Sequence, residues 1–239
     1  MIKGAFAYNI TPANIGNWSD AELYRAITTG ITKEGRTLYH AMPFMAFGKA
    51  DPQDINAIIA YIRTLKPVPN KPVGVAHLDF FDQMYNRTIF RTPQPVYLKD
   101  LKTAADSGKN IVTMASCNNR HTPKTSFDLD NKALTLSGGL EFPLATGGFV
   151  HSANLTPDES GLGAWTEESF VNKFKSFRDS GAIHTVDHNT LNTVMPWYAF
   201  RNIKDEDLRC IFAYLKTLEP VYNPVVKFTK RSIHDRQIQ

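Results

Sequence analysis

Ile58-Ile59-Ala60-Tyr61-Ile62-Arg63-Thr64-Leu65-Lys66-Pro67-Val68 returns without a gap as Ile211-Phe212-Ala213-Tyr214-Leu215-Lys216-Thr217-Leu218-Glu219-Pro220-Val221. In both segments the apolar residues fall at helical spacing, and each helix stops at a proline two residues after a leucine. Working back from this pair, Met42-Pro43-Phe44 recurs as Met195-Pro196-Trp197 and Gly16-Asn17-Trp18-Ser19 as Gly163-Ala164-Trp165-Thr166. Asn9-Ile10-Thr11-Pro12 recurs as Asn154-Leu155-Thr156-Pro157. The distance between copies widens along the chain, which predicts a short insertion in the second, most simply near His184 to His188. Two copies so far apart do not make a solenoid. They read as a tandem duplication of one domain.

The helices of each copy are legible in their caps. Ser19-Asp20-Ala21-Glu22 is a capping box, in which the Ser19 oxygen takes an orphan N–H and Glu22 reaches back. Leu23, Ala26 and Ile27 follow as its apolar face. Thr166 caps the matching helix, whose face is Phe170, Phe174 and Phe177. Asp51-Pro52 opens the last helix of the first copy, with proline where its missing N–H costs nothing. Ile55, Ile58, Ile59, Ile62 and Leu65 make its stripe; Leu208, Ile211, Phe212, Leu215 and Leu218 make the counterpart. Strand alternation is confined to short stretches such as Val225 to Phe228. The fold class is therefore all-α, a tandem of helical units with long irregular loops.

Pro67-Val68-Pro69-Asn70-Lys71-Pro72-Val73 suits a semi-extended linker. The aromatic segment after it (Phe80, Phe81, Tyr85, Phe90, Tyr97) is expected to lie against a domain surface. A helix from about Leu98 to Met114 is predicted next. The domains are then 1–68, a linker 69–97, and 98–239.

The 239 residues are 42% apolar and 21% charged, which supports packed cores and argues against intrinsic disorder. The net charge of +4 is small and its basic residues are scattered, so nucleic acid is not implied. No apolar run is long enough to span a bilayer. Two cysteines, Cys117 and Cys210, do not make a disulfide scaffold. Met1 to Phe6 carries no apolar core of signal-peptide length. There is no glycine-rich phosphate loop, nucleophile elbow or repeated carboxylate pair.

One segment carries evident chemistry: Ala115-Ser116-Cys117-Asn118-Asn119-Arg120-His121-Thr122-Pro123. A c-type haem site requires two thiols for the porphyrin vinyls and an adjacent histidine for iron, Cys-x-x-Cys-His. Here Cys117 and His121 stand in place, but Arg120 occupies the position of the second cysteine. Met195, in a loop ahead of the final helix, offers the thioether of a His/Met axial pair, the ligation that raises the potential of an electron-transfer haem. Other readings of these residues exist. Cys117 and His121 also stand at i,i+4 on an ordinary helix face, and a methionine also fills core gaps. Cys210 aligns with Ala57, a packing position. Trp18 and Trp165 read as core anchors. His40, His77, His151, His184, His188 and His234 share no ligand-like spacing.

Together, Cys117 with His121-Thr122-Pro123, Gly138-Gly139, Phe142-Pro143, Ser152 to Pro157, Gly161 to Thr166, Met195-Pro196 and Ala213-Tyr214-Leu215 resemble a two-domain class I c-type cytochrome of the bacterial multihaem electron-transfer type. The resemblance implies a thioether at Cys117, proximal ligation by His121, distal ligation by Met195, and Met42 as the distal ligand of a first haem. His121 precedes Asn154 by 33 residues, and the same spacing before Asn9 falls upstream of Met1. The first domain is thus expected to lack its haem-attachment half, leaving Met42 an orphan axial ligand and at most one haem c, with its iron, on this chain. The function implied is one-electron transfer, as a carrier or a cytochrome subunit of a larger oxidoreductase rather than as an enzyme. Its partners would be redox proteins, such as a periplasmic dehydrogenase or terminal oxidase. Location would be periplasmic, with membrane association only through an upstream segment or a partner. The alternatives are a haem-free degenerate module used for binding or structure, favoured by Arg120, and a dihaem peroxidase, disfavoured by Met195.

Overall fold

Caps place the helices along this chain. In a computed structural model, which describes residues 8–38, 42–70, 92–124, 131–144, 148–178 and 193–230, a short helix α1 (Pro12–Ile15) is followed by α2 (Asp20–Thr29). At the start of α2 the Glu22 N–H donates to Ser19 Oγ, and the Ser19 N–H donates to the Glu22 carboxylate at 2.7 Å. A one-turn helix α3 (Phe44–Phe47) leads to α4 (Pro52–Thr64), opened by Asp51 as expected. Leu23 and Ala26 of α2, Phe44 of α3, and Ile55 and Ile59 of α4 are buried together with Ile15 and Ala50, a small apolar core.

The chain divides into two compact units, Met1–Asp100 and Leu101–Gln239. The division falls three residues after the expected edge of the linker, and hydrogen bonds give the reason. The Gln94 N–H donates to the Gly48 carbonyl, the Val96 N–H to that of Lys49, and the Leu98 N–H to Asp51 Oδ2. The end of the linker is thereby stitched to the first unit, while Phe80, Phe81, Tyr85 and Phe90 lie outside the described residues.

In the second unit the first helix, α5, spans Ala104–Met114 rather than starting at Leu98. Leu98–Asp100 is a single 3₁₀ turn, and the true start is a capping box between Thr103 and Asp106. The short helix α6 (Cys117–His121), then α7 (Glu167–Lys175), α8 (Trp197–Phe200) and α9 (Asp205–Leu215) complete the helices described here. Val112 of α5, Phe170, Val171 and Phe174 of α7, and Leu208, Ile211, Phe212 and Leu215 of α9 meet Leu136 and Leu162 in one core. α5 crosses α9 at Gly108, where a Cβ would stand 1.9 Å from the Cys210 carbonyl oxygen. Cys210 thus belongs to a helix crossing.

Helices dominate, as predicted, with one small addition. Strands β1 (Glu141–Pro143), β2 (Phe149–His151) and β3 (Phe228–Thr229) form an antiparallel sheet with Phe142 opposite Val150 and Val150 opposite Phe228. Two or three residues are too few to display the alternation by which a strand is read. The tryptophans also differ from expectation. Trp165 is 37% exposed and Trp18 is half-buried, so neither anchors a core. Both sit at the rim, ahead of a helix start, where the Trp18 carbonyl accepts from Arg63.

The duplication is visible atom by atom. Asn9 Nδ2 donates to the Val68 carbonyl at 2.8 Å, and Asn154 Nδ2 to that of Val221 at 2.8 Å. The hydroxyls of Thr11 and Thr156 each donate to the preceding asparagine Oδ1 at 2.8 Å. The N–H of Phe44 donates to the Met42 carbonyl, and that of Trp197 to Met195, both at 2.8 Å. The insertion expected near His184 to His188 lies outside the described residues.

Candidate functional site

α5 ends at Met114, and Ser116, at φ 55°, turns the chain into α6. This left-handed turn presents Cys117 at the beginning of α6 and His121 at its end. Cys117 is half-buried and packs against the second unit's core. On either side of it, Ser116 Oγ and Asn118 Oδ1 are buried without a hydrogen-bond partner. Each such group costs about 1–3 kcal/mol, and orphans of this kind call for an explanation other than stability. Burial pushes the Cys117 thiol up to about 11 from 9.0, against the opposing pull of the Arg120 cation. The apoprotein is therefore expected to alkylate slowly at Cys117. At pH 8 the rate with iodoacetamide should fall about a hundredfold below that of the urea-unfolded chain, in line with the thiolate fraction. Equal rates, measured by mass spectrometry, would contradict this burial.

His121 is oriented by backbone. Its Nδ1 lies 2.8 Å from the Ala153 carbonyl oxygen, which fixes the ring with Nδ1–H donating and leaves the Nε2 lone pair for another partner. Burial lowers the imidazole pKa, the Ala153 hydrogen bond opposing and Arg120 adding to the fall, so the ring is neutral at pH 7. Several contacts bring Ala153 to this place. The Gly138 N–H donates to the His121 carbonyl at 2.7 Å, the Gly139 N–H to that of Ser152, and the Leu155 N–H to that of Leu136. The buried Thr122 hydroxyl accepts from the Leu136 N–H at 3.0 Å. Gly138, at φ +78°, passes so close to Ala153 that a Cβ would lie 2.4 Å from its carbonyl carbon. Gly138→Ala combines backbone strain with a clash, and is expected to cost about 2–3 kcal/mol. It should also shift the His121 ring resonances, which a change acting only elsewhere in the fold would leave in place.

Met195 is half-buried against the same core as Cys117. Its N–H donates to Thr193 Oγ1, and Pro196 then caps α8. Trp197 next to it is held edge-on by Phe174 and stacked on Phe177 at 5.0 Å. Met42 occupies the corresponding loop of the first unit, and the described part of that unit offers neither histidine nor cysteine to set against it. Arg120 is exposed. Neither the Ala153 carbonyl nor the role of Gly138 is signalled by a side chain; the Gly138-Gly139 doublet is the one trace in the sequence.

A haem tethered by one thioether and ligated by His and Met requires a thiol, a neutral imidazole with an available nitrogen, and a second thioether beside apolar surface. Cys117, His121 and Met195 meet these requirements. The buried, unpartnered polar atoms around Cys117 fit a segment shaped for a guest.

No family model matches the chain. Among relatives, it is 30% identical to the "Alcohol dehydrogenase (quinone), cytochrome c subunit" of Gluconacetobacter polyoxogenes, over 90% of this chain and 48% of that protein. It is 26% identical to the "Gluconate 2-dehydrogenase cytochrome c subunit" of Pantoea cypripedii, over 89% of this chain and 51% of that one. It is also 26% identical to a "Diheme cytochrome c-type" of Cereibacter sphaeroides, over 89% of this chain and 71% of that protein. The chain spans about half the length of the dehydrogenase subunits it matches.

Proposed function

We propose, for a chain that belongs to the c-type cytochromes of the multihaem kind, that it transfers single electrons as a haem-bearing subunit of a dehydrogenase complex. Haem c, when bound, supplies a one-electron ferric/ferrous couple. The rest is done by this chain. Cys117 forms the single covalent tether, His121 provides Nε2 with its ring held by Ala153, and Met195 provides the opposing thioether. Met42 is the equivalent axial donor of the first unit, without a partner donor among the described residues. No proton-transfer or nucleophilic machinery accompanies these groups, so oxidation of a substrate belongs to a partner, and the partner class that the relatives' names support is a dehydrogenase. An extracytoplasmic location is part of this proposal. Among the described residues no helix is long and apolar enough to cross a membrane.

The observation that carries the proposal is the fixed His121 ring, its second nitrogen available, on the same turn as Cys117. The test is a pyridine haemochrome spectrum, after acid-acetone extraction, of chain exported together with haem-maturation machinery. Haem that stays with the protein, with a band position for one saturated vinyl, is the expected result. Complete extraction would remove the tether at Cys117. Protein that carries no haem at all would overturn the proposal in favour of a degenerate binding module.

A further inference from the structure

The two copies of the last helix differ in what covers them. In α9, Leu208, Ile211 and Leu215 are 0%, 6% and 1% exposed. The matching residues of α4 are Ile55 at 0%, Ile58 at 37%, and Ile62, which is half-buried. Tyr61 is 67% exposed where Tyr214 is half-buried, and Ala60 is exposed where Ala213 is half-buried. The inner side of α4, against α2 and α3, is packed as well as that of α9. The difference lies on the opposite side, and in the second unit that side is where α5 crosses, with Gly108 set against the Cys210 carbonyl and the Ile211 N–H. The counterparts of those two residues are Ala57 and Ile58, both exposed.

We infer that the Ala57, Ile58, Tyr61, Ile62 and Leu65 face of α4 is a docking surface for a partner helix of the α5 type, amphipathic and with a glycine or alanine at the crossing. The molecule itself provides the template. The same residue sequence, Ile-x-Ala-Tyr followed by an aliphatic residue, is covered by such a helix in the second unit. A large side chain at the crossing is excluded there by backbone, not by an adjustable neighbour. Small residues let two helices approach to a backbone-to-backbone contact, so a stripe of large residues does not satisfy this face. This inference concerns packing and stands independently of haem.

The test is a titration of the full chain, by ¹⁵N–¹H NMR, with a capped peptide of residues 102–116, to about 1 mM, the weak end of specific binding. Saturable shifts at Ala57, Ile58, Tyr61 and Ile62 are expected. A peptide carrying Gly108→Val should bind about tenfold more weakly or worse, as should wild-type peptide to the Ile58→Glu chain. Tyr61→Ala, at a more exposed position, serves the same purpose if Ile58→Glu fails to fold. Equal binding of the valine peptide would overturn the inference, as would shifts confined to α9 through exchange with α5. Absence of binding to 1 mM would also overturn it. So would self-association of the free chain through α4, which would name a second copy as occupant.

Discussion

Gly108→Ala is expected to destabilise the second unit by about 2–3 kcal/mol, although the local preference of the helix points the other way. In the middle of a helix alanine is favoured over glycine by about 1 kcal/mol. At Gly108 the new methyl carbon would meet the Cys210 carbonyl oxygen at 1.9 Å, its carbon at 2.4 Å and the Ile211 nitrogen at 2.9 Å. All three are backbone atoms of α9, so no side-chain rotation relieves the clash, and the helices must separate. Overpacking of this sort costs about 1–3 kcal/mol and more when the neighbours are rigid, which outweighs the gain in propensity. Separation also exposes the contacts that bury Val112 against Ile211 and Leu215. Gly108→Val adds two further carbons at the same point. It is expected to consume most of the roughly 5–15 kcal/mol available to a domain and to leave this unit unfolded. Urea unfolding followed by far-ultraviolet circular dichroism checks both variants. A raised midpoint for Gly108→Ala would mean that α5 does not lie on α9 at this distance.

That crossing shows where sequence reading ends. The repeat, the stripes of α4 and α9, and the starts at Ser19, Asp51 and Thr166 are written in side chains, and the structure follows them. Gly108 looks like any glycine in a helical pattern, because the residue that requires it lies a hundred positions away and acts through its carbonyl. The start of α5 is misplaced by sequence for a related reason: the box at Thr103 closes with Asp106, one methylene shorter than the Glu of the usual pattern. The stripe of α4 reads as fully buried because periodicity reveals which residues are apolar and not how many neighbours arrive to cover them. At the candidate site, Cys117, His121, Met195 and Met42 are legible from spacing and repetition. The carbonyl of Ala153, which determines the direction of the His121 ring, has no signature in the residue that bears it.

His121→Ala is expected to have a small effect on the haem-free chain and a large one on the haem-loaded chain. Without haem, the substitution removes one hydrogen bond to Ala153 from a half-buried ring, a loss of about 1 kcal/mol. With haem, it also removes an axial bond made only in the folded state. The extra loss should reach about 3 kcal/mol, comparable to a ligand present at a hundred times its dissociation constant. The absorption spectrum should change with it, from six-coordinate low-spin to high-spin, since Met195 and the Cys117 tether do not replace an imidazole. Met195→Ala should produce a similar change of spin state with a smaller loss of stability, and a lower reduction potential once the thioether is gone. Thermal unfolding of the four proteins, loaded and empty, with and without His121, forms a cycle in which the excess loss is the ligation term. An excess near zero would show that His121 does not hold the iron, and the conserved geometry of its ring toward Ala153 would then be a structural hydrogen bond in a module that has lost its cofactor. An excess of several kcal/mol would assign Nε2 to iron and, with Arg120 exposed beside it, would show that one thioether and two axial bonds suffice for this unit.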